Sequence, residues 1–140
     1  MSKKRNGEIT LKSCHPQVRA ALAAYIQQIE TEFAGEVLSV FLYGSQARGE
    51  ASDESDIDLL VVIHHDSPGL HQALTDLAWE VQFEHDVVIS DIIRTERQMA
   101  EMQAAGFPYY RSIEREAVLL WQTPFVSTPV SVSSVTAKKL

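Results

Sequence analysis

Apolar residues recur at every third or fourth position in several stretches of the chain, which predicts amphipathic helices. The first stretch opens with Pro16, which suits an initial helical turn, and ends before Gly35, which suits a helix stop. Another stretch opens with Thr95, followed three residues later by Gln98, which is the spacing of a capping box. The predicted helices are residues 16–33, 70–80, 95–105 and 109–116.

Other short runs are rich in β-branched or aromatic apolar residues and end at polar or turn-forming residues, which predicts buried strands. The predicted strands are residues 37–43, 57–63 and 81–89, and a shorter apolar ending follows at 118–120. The third strand is interrupted by Glu84, His85 and Asp86. Strands that alternate with helices predict an α/β or α+β fold, although their order alone leaves open which strands run parallel.

The length of 140 residues fits one compact domain. We expect this domain to span residues 16–121, between an N-terminal tail (1–15) and an extended or disordered tail rich in Ser, Thr, Val and Pro (122–140). No apolar run approaches the ~20 residues that span a bilayer, and no secretory signal pattern is present. The lone cysteine, Cys14, cannot form an internal disulfide, which suits a reducing compartment. We therefore expect a cytoplasmic protein with no membrane partner.

The formal net charge of the chain is −7. Binding of nucleic acid independently of its sequence needs a face rich in lysine and arginine that contacts phosphates. We therefore expect no direct binding of bulk nucleic acid.

The stretch Asp56-Ile57-Asp58 leads directly into the second predicted strand. Side chains two residues apart in a strand face the same way, so the two carboxylates project together. Adjacent carboxylates raise each other's proton affinity unless a cation neutralises them, and a hard divalent ion prefers such oxygen ligands. The pair therefore predicts a metal site.

Asp86 interrupts the third predicted strand at a place where a core strand favours Val or Ile. If that strand lies beside the one that carries Asp56 and Asp58, three carboxylates meet at one end of the sheet. Such a trio can hold two metal ions that bridge phosphate oxygens. Two metal ions suit an in-line displacement at phosphorus.

Other polar residues near these strands are weaker candidates. Glu84 shares a face with Asp86 in an extended strand and is a second-choice ligand, whereas His85 points to the opposite face. His64-His65-Asp66 offers metal-ligand types, but its position directly after a strand favours a polar loop.

The segment after the first predicted strand supplies groups that suit an anion. Gly44 lets the backbone approach a phosphate closely, and Ser45 offers a hydroxyl and an amide. Arg48 can pair with phosphate oxygens. A triphosphate and a metal would then share one cleft.

Gly44-Ser45, ten intervening residues and Asp56-Ile57-Asp58 together resemble the signature of the minimal nucleotidyltransferases of the DNA polymerase β-like superfamily. The resemblance covers residues 37–89. It implies the fold of that superfamily, a small mixed β-sheet flanked by helices. Ala117 stands where many relatives carry glycine, which leaves the C-terminal partner surface open.

The resemblance also implies roles for the candidate residues. The implied nucleotide-binding set is Gly44, Ser45, Arg48 and Ser55, and the implied catalytic and metal-binding set is Asp56, Asp58 and Asp86. The implied cofactor is a pair of Mg²⁺ ions, with Mn²⁺ as the alternative, and the implied substrate is ATP.

Small members of this family resemble the antitoxin of a toxin–antitoxin pair, in which the transferase adenylylates a tyrosine of a HEPN-type ribonuclease toxin. The resemblance therefore implies a metal-dependent nucleotidyltransferase that moves AMP from ATP to a partner toxin and acts as its antitoxin. One alternative is a non-catalytic nucleotide- or toxin-binding module that inhibits its partner by occlusion. Another is a transferase that acts on a small molecule such as an aminoglycoside, but that acceptor normally needs added structure.

Overall fold

The computed structural model describes residues 14–51 and 56–124. The helices are α1 (Pro16–Glu32), α2 (Gly44–Arg48), α3 (Pro68–His85), α4 (Glu96–Ala105) and α5 (Pro108–Glu116), and the strands are β1 (Val37–Tyr43), β2 (Ile57–Ile63), β3 (Ile89–Thr95) and β4 (Val118–Gln122). The predictions for the tails beyond this part, 1–13 and 125–140, lie outside the described residues. No helix of the described part has the length and apolar content needed to cross a membrane.

The strands form one mixed sheet in the order β3-β2-β1-β4. Strand β1 runs antiparallel to both β2 and β4, and β2 runs parallel to β3. The mixed sheet with flanking helices confirms the predicted α/β (α+β) architecture. The apolar ending predicted at 118–120 is the edge strand β4, which completes the sheet beside β1.

Alternation along the strands divides the core into two layers. Leu59 and Val61 of β2 pack with the buried faces of α1 and α3 on one side of the sheet. Leu60 and Val62 pack on the other side with a smaller cluster that includes Met99 of α4 and residues of α5. Both sides of β2 are therefore buried along most of its length, and its one polar residue, Asp58, lies near its N-terminal end.

The predicted start of α4 is confirmed in detail. The Gln98 backbone N–H donates to Thr95 Oγ1 at 3.0 Å, and the Thr95 backbone N–H donates to Gln98 Oε1 at 2.8 Å. This reciprocal pair is a complete capping box. It also fixes the end of β3, because Thr95 is the last residue of that strand.

The strand predicted over 81–89 is wrong. Residues 81–85 continue α3, because Leu74, Leu77 and Val81 remain buried at helical spacing. The helix ends where Asp86 adopts a left-handed conformation, with φ of 54° and ψ of 51°. The third strand therefore begins only at Ile89.

Side-chain amides hold this helix end in place. The Gln17 side-chain amide donates to the carbonyl oxygens of His85 at 2.8 Å and Asp86 at 3.1 Å. The Ile89 backbone N–H donates to Gln82 Oε1 at 2.6 Å. These bonds satisfy backbone groups that a helix end leaves unpaired, and they link α1, α3 and β3.

Candidate functional site

The end of β1 and the start of β2, the two central strands, meet at one end of the sheet, where Tyr43 pairs with Asp58. Gly44 follows Tyr43, begins α2 and has a φ of 76°, which favours glycine. A Cβ added to Gly44 would overlap the Asp58 carboxylate and lie 3.2 Å from its Cγ. The turn after β1 and the acidic pair are therefore in direct contact, as the predicted shared cleft requires.

Asp56 lies close enough to Asp58 to affect the ionisation of the Asp58 carboxyl. Asp56 is exposed, whereas Asp58 is half-buried. Burial raises the pKa of the Asp58 carboxyl, the neighbouring Asp56 charge raises it further, and Arg48 opposes both effects. The structure thus gathers these two carboxylates and one cation of the predicted site.

Arg48 lies between two acidic side chains. Its Nε is 2.8 Å from Glu50 Oε1, and its Nη1 is 3.1 Å from Glu116 Oε1 at the end of α5. The hydrogen bond to Glu50 is the largest cause that raises the pKa of the Arg48 guanidinium. The guanidinium is still substantially exposed, so an anion in the cleft can compete with these carboxylates for it.

Two tyrosines stand beside Asp58. The rings of Tyr43 and Tyr109 pack edge to face with centroids 6.1 Å apart, and the Tyr109 hydroxyl donates to the Tyr43 hydroxyl at 3.5 Å. Burial is the largest cause that raises the pKa of Tyr43, and the neighbouring Asp58 charge adds to that rise. Both hydroxyls therefore stay neutral and can serve as hydrogen-bonding groups next to the acidic pair.

Sequence reasoning missed Tyr43, Tyr109 and Glu116 as neighbours of the site. A signal for Tyr43 exists, because an antiparallel pairing of the first two strands places the last residue of one beside Asp58, near the start of the other. Tyr109 and Glu116 arrive from α5, which is distant in sequence. Their approach depends on how that helix packs, and the local pattern does not encode it.

The structure does not bring Asp86 to the other two acids. Asp86 caps α3 instead of lying in a strand. The β3 residue that pairs with Asp58 is Ser90, which is exposed. Across residues 14–51 and 56–124, no group of three or more His, Cys, Asp or Glu side chains is arranged to hold a metal ion. The argument that a strand places Asp86 in a trio is therefore wrong.

Of the other candidate residues that the structure describes, only Ser45 lies beside the turn after β1. Glu84 lies on α3, so the strand face that it was expected to share with Asp86 does not exist. His64 follows β2 and contacts Glu96, in keeping with a polar loop. Ser45 is half-buried in the first turn of α2. Ser55 lies outside the described residues.

A further acidic residue, Asp91, lies on the opposite side of the sheet from Asp58. It pairs with Leu59 in register, and one carboxylate oxygen, Oδ2, is buried without a hydrogen-bond partner among the described residues. Burial is the largest cause that raises the pKa of this carboxyl, and His71 opposes the rise. Because Asp91 and Asp58 face opposite sides of the sheet, Asp91 is not a member of this site.

The acidic pair fits a divalent cation. Mg²⁺ is commonly bound by one or two carboxylates together with substrate phosphates and water. Asp56 and Asp58 supply hard oxygen donors. Burial, and then the Asp56 charge, raise the pKa of Asp58, and a cation bound by the two carboxylates would offset both effects. The site can therefore hold a metal that also contacts a nucleotide, with Arg48 and the α2 turn beside it.

Known proteins share this sequence pattern. Residues 23–119 match the model of the nucleotidyltransferase domain. A Methanocaldococcus jannaschii protein named "Putative protein adenylyltransferase MJ0604" is 26% identical over 101 residues, which make up 72% of this chain and 95% of that protein. A second protein of that organism with the corresponding name, MJ1305, is 30% identical over 82 residues, or 56% of each chain.

Solved structures share the fold. A structure of a mutant of the toxin–antitoxin MntA-HpeT has a TM-score of 0.51 and 16% identity, and the alignment covers 71% of each chain. A toxin–antitoxin structure with AMP-PNP has a TM-score of 0.50 and 15% identity, and it covers 79% of this chain and 76% of that one. At these identities the likeness establishes the nucleotidyltransferase fold and nothing further.

Proposed function

Since the chain belongs to the nucleotidyltransferase domain family, we propose that it transfers AMP from ATP to a hydroxyl group of a protein. The observation that carries the proposal is the contact between Gly44 and the Asp58 carboxylate. That contact joins a turn suited to phosphate with an acidic pair suited to a divalent ion. A nucleoside triphosphate with its metal needs both within one cleft.

Each group has a separate task in this proposal. A divalent metal held by Asp56 and Asp58 would supply charge neutralisation at the reacting phosphate. The Ser45 amide and hydroxyl orient the terminal phosphates. Arg48 exchanges its exposed carboxylate partners for phosphate oxygens, because a bidentate pair with phosphate is a strong charge-assisted contact.

The proposed acceptor is a tyrosine of a HEPN-type toxin, so that the chain acts as an antitoxin. The names of the two Methanocaldococcus jannaschii relatives support a protein acceptor. The toxin–antitoxin structures that share the fold guide the choice of a toxin. Asp56 is exposed, so an acceptor side chain that a partner protein presents can reach the acidic pair.

Intact-mass spectrometry tests the proposal directly. The full chain is incubated with ATP, Mg²⁺ and a HEPN-type toxin, and the mass of the toxin should rise by about 329 Da for each AMP transferred. A toxin whose acceptor tyrosine is changed to phenylalanine should show no rise. The Asp56→Asn, Asp58→Asn double variant should give no transfer while remaining folded.

The same experiment separates transfer from occlusion. If the wild-type chain and the double variant silence the toxin equally and its mass does not change, the chain is a binding module and the proposed transfer is wrong.

A further inference from the structure

An apolar groove lies between α3 and β3, on the side of the sheet away from Asp58. It has a volume of about 610 Å³ and is lined by Trp79, Phe83, Val88, five further uncharged residues and two acids, Asp86 and Asp91. Three of the lining side chains are largely exposed: Trp79 at 65%, Phe83 at 90% and Val88 at 55%. Large apolar side chains that cluster in solvent mark an interaction surface more often than they serve the fold.

An acidic row runs beside this groove. Asp76, Glu80 and Glu84 are exposed and recur at intervals of four along α3, so they lie along one side of the helix. The helix contains no lysine or arginine. Among the described residues none of the three has an ion-pair partner, and only Asp76 accepts a side-chain hydrogen bond, from Gln72.

The row and the groove form one surface with two chemical characters. Trp79 and Phe83 are one turn apart, and each directly precedes an acid of the row, Glu80 or Glu84. Acids spaced four apart repel one another, so the row weakens α3 unless opposite charge approaches it. The groove therefore offers apolar contact next to uncompensated negative charge.

The groove lies at the same end of the sheet as the acidic pair, on the opposite face. The backbone N–H of Ile57, which stands between Asp56 and Asp58, donates to the Val88 carbonyl oxygen at 2.8 Å. Val88 is also one of the exposed side chains of the groove. A partner bound in the groove would lie at the end of the sheet where β2 begins, on the face opposite Asp58.

We propose that the α3/β3 groove is the docking surface for a protein segment that carries apolar side chains on one face and lysine or arginine along its flank. Charge complementarity selects this occupant. A second copy of the chain brings the same acidic row and a net charge of −7 to the contact, and an anionic membrane is repelled by the row. The inference rests on the proposed function in one respect, namely that the molecule bound in the groove is a protein.

Fluorescence anisotropy of the full chain with labelled peptides tests the proposal. The probes are helical peptides of about 18 residues, which is five turns. One has leucines on one face and lysines along its flank, the second has glutamate in place of lysine, and the third is a scrambled lysine peptide without an apolar face. We expect the first to bind at least about tenfold more tightly than the other two in roughly 0.15 M salt.

Variants locate the binding. Trp79→Ala with Phe83→Ala should weaken the first peptide about tenfold, whereas Phe107→Ala, another exposed aromatic, should not. Glu80→Lys with Glu84→Lys should shift the preference to the glutamate peptide, whereas Glu30→Lys with Glu32→Lys on α1 should not. All these positions are exposed, so the variants should melt close to the wild-type temperature.

Three outcomes overturn the inference. Equal binding of the amphipathic and scrambled lysine peptides would reduce the surface to bulk charge. Unchanged binding after loss of Trp79 and Phe83 would place the contact elsewhere. Dimerisation of the chain alone, abolished by the same two changes, would identify a second copy as the occupant. The Asp56→Asn, Asp58→Asn variant should bind the peptide normally, so failure of nucleotide transfer leaves the docking result intact.

Discussion

A methyl group at Gly44 is excluded by two independent features. The φ of 76° disfavours any residue with a Cβ, and that Cβ would collide with the Asp58 carboxylate. Gly44→Ala should therefore destabilise the chain by on the order of 1–2 kcal/mol and weaken Mg²⁺-ATP binding at least about tenfold. Urea unfolding and calorimetry measure the two effects. Gly35→Ala is the matched control, because a Cβ there has no neighbour within 4 Å.

Asp58 and Asp86 should differ sharply when each is changed to asparagine. Asp58 contacts the turn after β1, and the Asp56 charge raises its pKa, whereas Asp86 is an exposed residue at the end of α3. Asparagine tolerates the left-handed backbone of position 86, so its fold should be kept. Calorimetry should show a large loss of Mg²⁺-ATP affinity for Asp58→Asn and little change for Asp86→Asn. An equal loss for both would restore Asp86 to the metal site.

The half-buried Asp91, whose Oδ2 is buried without a hydrogen-bond partner among the described residues, should cost stability at neutral pH. Its pKa is raised above the ordinary value of 3.8, so folding favours the protonated form, and the associated stability is lost as pH rises through the raised pKa. Asp91→Asn should therefore raise stability at pH 7, by less than about 1 kcal/mol because the side chain is partly exposed and solvent screens its charge. The gain should disappear well below pH 3.8, where both the folded and the unfolded wild type are protonated at Asp91. A gain that is constant with pH would contradict this account.

At the scale of single residues, the sequence was sufficient where chemistry is local. Strands β1 and β2 follow one another in the chain and pair antiparallel, and the local apolar pattern predicts both strands. This pairing brings together the four residues Gly44, Arg48, Asp56 and Asp58. Tyr109 could not be found in that way, because it reaches the site through the packing of α5.

At the scale of elements, the error over 81–89 arose because two patterns overlap there. Val81 ends a helical repeat, and Val87, Val88 and Ile89 begin a β-branched run, so the composition of the whole segment resembles a strand. The boundary is set by Asp86 in a left-handed conformation and by the side chain of Gln17, which is distant in sequence. Such a boundary depends on tertiary contacts.

The Gln17 contact offers a test of that boundary. Gln17→Ala removes two hydrogen bonds to the carbonyls that end α3, and it should destabilise the chain by about 1 kcal/mol. Hydrogen exchange should become faster at Val87 and Ile89, which follow this helix end. Gln27→Ala, on an exposed position of the same α1 helix, is the control and should leave exchange there unchanged. Equal effects of the two changes would show that the boundary does not depend on Gln17.

At the scale of the whole molecule, the core and the acidic site are separable. The two apolar layers lie on either side of the sheet, whereas Asp56 is exposed at the end of the sheet, directly before β2. Chelation of divalent metal should therefore leave the fold intact and lower the melting temperature only by as much as the metal alone, without nucleotide, stabilises the chain. Addition of Mg²⁺-ATP at about 100 times its Kd should stabilise the chain by about 2.7 kcal/mol. Differential scanning fluorimetry should show no such gain for the Asp56→Asn, Asp58→Asn variant or for ATP with chelator.

The contact between Gly44 and Asp58 also bears on transplanting the site to another scaffold. If the turn alone is grafted, Gly44 faces a side chain other than Asp58. If the acidic strand alone is grafted, the Asp58 carboxylate collides with any Cβ that stands where Gly44 stands here. The smallest transferable module is therefore the two adjacent strands with the chain that joins them, carried over together. A designer who keeps that piece intact can vary the surrounding helices, because the steric fit between its halves is internal to the module.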